Sequence, residues 1–143
     1  MLDRTVVRNY TAVVRAGNLV TPRTYGHRIE AHGLGLRDLT RSVSTRQAAE
    51  AAGATGAFDV AELHAQFSHE ELILAEAIGL DGSTPVNPSG GPLAANPVMS
   101  AGLIRIGEVA RRITAGDAGR GVAHATSGPC LQQNMVCVLE GGN

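Results

Sequence analysis

The chain has 143 residues, 43% hydrophobic and 17% charged, and carries a net charge of −1 at pH 7. That balance excludes a disordered chain, which pairs low hydrophobicity with high net charge, and it excludes a broad electrostatic grip on nucleic acid or anionic lipid. With aromatics at 3%, two cysteines and no apolar run of membrane-span length, the expectation is one domain with an aliphatic core in a reduced, cytoplasmic setting.

In chain order, residues 5–20 alternate short apolar patches with polar residues and predict one or two poorly defined strands. Thr21 to Leu39, with Pro22, Gly26, Gly33 and Gly35, reads as an irregular connection or a short strand with loops. A helix is predicted over Ser44–Ala52: Ser44 and Gln47 have capping-box spacing, the body is alanine-rich, and Gly53 is a stop. Phe58–Leu63 predicts a short strand. A second helix follows, with Ser68 as cap, Glu71 closing the box, an apolar body from Leu72 to Ile78, and Gly79 as terminator.

Glycine and proline between residues 81 and 100 predict loop. The third helix spans Ala101–Ile113. Leu103, Ile106, Ala110 and Ile113 line one face, and Arg105, Glu108, Arg111 and Arg112 remain in water. Two short strands, Gly121–Ala125 and Met135–Leu139, close the chain. Strand and helix alternate and a strand pair ends the order, which predicts an α/β fold with a mixed β-sheet layered with helices.

Three segments, in this order, resemble landmarks of the thiolase carboxy-terminal domain. Glu62-Leu63-His64-Ala65-Gln66-Phe67-Ser68 resembles the His-Asp-Cys-Phe loop of sterol-carrier-protein-type thiolases. Val86-Asn87-Pro88-Ser89-Gly90-Gly91, followed by Asn96-Pro97 and Gly102, resembles the Asn-x-x-Gly-Gly loop that leads into Gly-His-Pro and a helix. Gly121 to Glu140 stands where the family has its terminal strand pair and Cys-x-Gly loop. The likeness covers residues 36–143, and residues 1–35 form a lead-in of strands and loop.

The resemblance implies Claisen chemistry, or its reverse, on acyl-CoA thioesters, with coenzyme A thioester as substrate and no permanently bound cofactor. It gives the nucleophilic cysteine to an amino-terminal domain, so a partner half or a homo-oligomer would have to supply it. His64 is the first catalytic candidate, because a neutral imidazole can donate to a thioester oxygen or relay a proton. Its alternative is a structural histidine at a strand end. Asn96 stands in place of the family's base histidine; an amide has no basic nitrogen. It either orients substrate or water, or serves turn geometry. Cys130 lies in the corresponding loop, but in Gly128-Pro129-Cys130-Leu131 rather than Cys-x-Gly. It is either an acid/base thiol or a small half-buried one.

Asn87, Ser89, Gly90 and Gly91 are candidates for the acyl-CoA pocket, or form a tight structural loop. Cys137 reads as core and His69 as exposed, and His27, His32 and His124 lack metal-like spacing, so no metal site is expected. Two further functions stay open. One is retro-aldol cleavage of a CoA thioester beside an OB-fold partner protein, which suits Asn96 better than thiolysis does. The other is a non-catalytic binding remnant of the fold.

Overall fold

A computed structural model describes residues 20–142. It is an α/β structure built on a four-stranded mixed sheet. The elements are β1 (Val20–Ile29), a 3-10 turn (Leu34–Leu36), α1 (Val43–Ala51), β2 (Val60–Glu62), α2 (Ser68–Ile78), α3 (Gly91–Ala94), α4 (Ala101–Ala115), β3 (Arg120–Ser127) and β4 (Gln133–Gly141). Strand order is β1-β4-β3-β2. β4 is antiparallel to both β1 and β3, whereas β2 runs parallel to β3. Val86 extends the sheet by bridging to Ala61 in parallel. The strands predicted before residue 20 lie outside the described residues.

Alternation along the central strands explains the layers. Val136 and Val138 of β4 and Val122 of β3 pack with α1 and α2 through Ala48, Ala49, Leu74 and Ile78. Cys137, Leu139 and Ala123 point to the opposite face, against Val109 and Ile113 of α4. A sheet covered on both sides needs apolar residues at successive positions, and the run Val136-Cys137-Val138-Leu139 supplies them.

Of the two readings of residues 21–39, the strand with loops holds over the irregular connection, and the strand is longer than the short one expected, at ten residues. Proline removes a ladder donor, which a strand tolerates at a sheet edge, and among the described residues β1 is an edge strand. The register also shifts between Pro22 and Thr24. Gly26 marks close approach: a Cβ there would lie 2.0 Å from the Ala48 carbonyl oxygen. The alanine-rich body of α1 thus lies almost on the backbone of β1. Because β1 pairs along β4, the sheet begins upstream of residue 36.

Both predicted caps shift. Ser42, not Ser44, caps α1, its Oγ accepting from Thr45 N at 3.3 Å. Ser44 turns inward, and its N–H and Oγ–H both donate to Glu30 Oε1 at 2.6 Å. At α2 the cap is Phe67, and Glu70 reaches back to accept from the Gln66 and Phe67 amides at 2.8 and 3.3 Å. Glu71 is thereby released for a contact elsewhere. The predicted loop 81–100 contains the one-turn helix α3.

A Gly26→Ala chain should lose about 3 kcal/mol of stability, the upper range for overpacking. Gly107, exposed on α4 with nothing within 4 Å of an added Cβ, should gain about 0.5–1 kcal/mol as alanine. Urea unfolding of the two variants checks this, and an unchanged midpoint for Gly26→Ala would contradict the α1–β1 packing.

Candidate functional site

The site lies where β2 ends. The Asn87 amide donates to Ala61 O at 2.8 Å, which brings the loop 87–91 beside that end. Asn87 has φ 49, a conformation that asparagine adopts more readily than most residues. Its Oδ1 accepts from Leu63 N at 2.7 Å, and its Nδ2 donates to Glu71 Oε2 at 2.6 Å. One side chain therefore ties β2, the loop and α2 together.

Ser89 is held as firmly. Its Oγ–H donates to Glu62 Oε2 at 2.7 Å and its N–H to Glu62 Oε1 at 3.1 Å. Arg105 Nη1 donates to the same Glu62 Oε2 and to Ser89 Oγ, each at 2.8 Å. Glu62 is fully buried and Arg105 only 3% exposed. The expectation that Arg105 stays in water is thus wrong. The inward row of α4 is Ala101, Arg105, Val109 and Ile113, and Leu103, assigned to the apolar face, is exposed. A partner carboxylate on β2 makes that burial tolerable.

Gly90 and Gly91 complete the loop with φ of 91 and 58. A Cβ on Gly91 would lie 2.9 Å from Asn87 Cγ, so a side chain there would displace the asparagine. Of the four candidates for substrate binding, Asn87 and Ser89 are hydrogen-bonded within the chain, and the two glycines permit that arrangement. Their direct effect is to fix the loop.

His64 follows β2 by two residues and is 3% exposed. Thr126 N–H donates to its Nδ1 at 3.3 Å, so the neutral ring carries its proton on Nε2. No group among the described residues completes a regular hydrogen bond to Nε2. Burial holds the His64 pKa below the usual histidine value; the Asn96 amide beside the ring opposes that drop, and the Arg105 charge adds to it. The structure thus brings together His64 and Asn96, residues far apart in sequence, with the amide close enough to act on the ring and no hydrogen bond of regular geometry formed at Nε2.

Cys130 stands apart from this pair. It is exposed, with φ 51, and lines a cleft whose walls include Gln66, Phe67 and Thr126 but not His64. Its exposure corrects the half-buried alternative. Cys137 is buried, and burial pushes its thiol up to about 11.

Sequence reasoning missed a second polar network. His124, fully buried, shares a 2.9 Å hydrogen bond between Nε2 and Asn134 Oδ1. Asn134 Nδ2 donates to Ser44 Oγ and to Leu131 O, both at 2.7 Å. Ser44 passes the chain on to Glu30, 3.9 Å from Arg37 Nη1. Polar residues inside an apolar strand, His124 in β3 and Asn134 in β4, were the available signal. Among the described residues no group of three or more metal-ligating side chains forms, and no helix is long and apolar enough to cross a membrane.

Compared with known proteins, the sequence matches no family model and no curated protein.

Burial pushes the His124 pKa from 6.5 to about 4. The folded chain then binds fewer protons than the unfolded one between these values, so stability is complete above pH 6.5 and falls towards pH 4. A shift of that size amounts to about 3 kcal/mol. Thermal melts across this range should show the decline. His124→Gln, which keeps a donor for Asn134, should remove most of it, and an unchanged slope would contradict the assignment.

Proposed function

We propose that the chain is the carboxy-terminal part of a thiolase-like acyl-CoA enzyme, and that His64 Nε2–H, with the Asn96 amide, receives the carbonyl oxygen of a CoA thioester. The observation that carries this reading is the His64 donor itself. It is buried, its tautomer is fixed by Thr126, and the Asn96 amide interacts with the ring without closing a hydrogen bond of regular geometry at Nε2. A buried donor normally has a partner in the resting structure. A thioester oxygen that gains negative charge during reaction would supply one, and the interaction would strengthen as the charge develops.

The three sequence segments that suggested the family also meet in space. The loop 87–91 is bonded to the end of β2 just before His64, and the strand pair β3–β4 supplies Thr126. Depression of the His64 pKa by burial favours a neutral donor over a charged one.

Neither His64 nor Asn96 is a nucleophile that could carry the acyl group by the family route. In the proposal that group comes from an amino-terminal half or from another copy. Leu93, Val98, Met99 and Leu103, all exposed and near Asn96 in sequence, are apolar side chains such a partner could cover.

A second reading uses the same donors. In retro-aldol cleavage the enolate oxygen of the CoA thioester carries the developing charge, and no thiol has to be activated. Asn96, which cannot accept a proton as a base, favours this over thiolysis. A partner that supplies a base without a cysteine would select it.

The test is binding of acetonyl-CoA, a ketone that keeps the carbonyl and lacks the cleavable thioester bond. Histidine NMR of the full chain should show the His64 resonances moving on titration. His64→Ala should weaken binding by about tenfold, the value of one well-placed hydrogen bond. Binding without a response from His64, or no binding at all, would overturn the proposal.

A further inference from the structure

A cleft of about 480 Å³ opens at the same end of the sheet, between α2, the loop joining β3 to β4, and the segment that precedes α1. This is within the range of roughly 300–1,000 Å³ usual for small-molecule sites. Apolar side chains form one part of its walls, with Ile73 from α2, Pro129 and Leu131 from the loop, and Leu39 and Phe67 at the rim; Arg41, Gln66, His69 and Glu70 give it a polar side as well. Leu39 and Phe67 are 44% and 59% exposed, so neither belongs to the core.

One wall is locked in an unusual shape. Cys130 and Leu131 are consecutive non-glycine residues with φ of 51 and 55. Such conformations persist only where the surroundings over-determine them. Here every carbonyl of the strained stretch is held. Arg37 donates to Pro129 O at 2.9 Å and to Cys130 O at 3.0 Å, and Asn134 donates to Leu131 O at 2.7 Å. Glu30, which also receives Ser44, lies beside Arg37 and joins this clamp to the buried network. The result is that Leu131 is buried between the core and the cleft floor while Cys130 stays exposed at the cleft.

We infer that this cleft binds the hydrocarbon part of an acyl-CoA, with the Arg37–Glu30 clamp acting as the positioning device that holds its wall. The inference rests on the acyl-CoA reading above and deepens it by naming where the acyl chain lies. An aliphatic chain suits walls of Ile, Leu and Pro, which offer it dispersion contact and release water from apolar surface. Clamping the wall in advance means that the loop need not be ordered when the chain enters.

The probe is a series of S-alkyl-CoA thioethers of increasing length, which lack the carbonyl and so do not depend on His64. Calorimetry on the full chain should show the dissociation constant tightening by about fourfold for each methylene fully buried. Iodoacetamide should label Cys130 and spare the buried Cys137, and long thioethers should slow that labelling. Leu39→Trp at the rim and Ile73→Trp in the wall should each remove the dependence on length. Arg37→Ala should weaken the long thioethers more than the short ones, and Arg37→Lys, without the two-pronged donor, should not restore them.

If thioethers bind with an affinity independent of chain length and Cys130 is labelled at the same rate, the cleft assignment is wrong and the acyl-CoA reading stands. If neither the thioethers nor free CoA binds, both are overturned. Because Leu39 is at the rim, its variant decides the matter should Ile73→Trp fail to fold.

Discussion

The buried contact among Glu62, Arg105 and Ser89 is the constraint on which the site depends. A carboxylate and a guanidinium withdrawn from water carry a large desolvation cost, and a buried ion pair often stabilises no more than apolar residues of the same size. Its value here is the set of elements it ties together. Glu62 ends β2, Ser89 belongs to the loop 87–91, and Arg105 comes from the middle of α4. Neither charge can leave without stranding the other, and Ser89 is bonded to both, so the loop is held in one position relative to sheet and helix.

From that constraint the rest of the site follows. With the loop fixed, Asn87 can bridge Leu63 N and Glu71, which sets the path of the chain immediately before His64. His64 is then held from the other side by Thr126, and Arg105 contributes to keeping the ring neutral. The second network, from Arg37 through Glu30, Ser44 and Asn134 to His124, performs a similar task for the β3–β4 loop. Two polar networks, each linking elements distant in sequence, thus secure the ends of an otherwise aliphatic sheet.

Elements whose signals are local were legible in the sequence: the bodies of α1, α2 and α4, and the strands around Val122 and Val136. Those that depend on distant partners were not. Pro22 and Gly26 suggest a break when read locally, yet an edge position accommodates the proline and Ala48 requires the glycine. Ser44 has the spacing of a cap, but Glu30 draws it inward and leaves the cap to Ser42. The spacing of Leu103, Ile106, Ala110 and Ile113 puts Arg105 on the wet side of α4, and only the position of Glu62 on β2 explains why it faces inward. In the site, the resemblance pointed to both His64 and Asn96, while the roles of Glu62, Asn134 and Arg37 required the fold to be seen.

The most direct measurement is a double-mutant cycle on the ion pair, using Glu62→Gln, Arg105→Met and their combination, followed by urea unfolding and by hydrogen exchange at the Leu63 and Asn87 amides. Arg105→Met should cost about 3–5 kcal/mol, because it leaves Glu62 buried without its cation. It should also speed exchange at both amides. The double variant should recover a substantial part of that loss. If the two substitutions add without coupling, and the amides of the loop exchange as slowly as before, then the pair does not organise the site and the account is wrong.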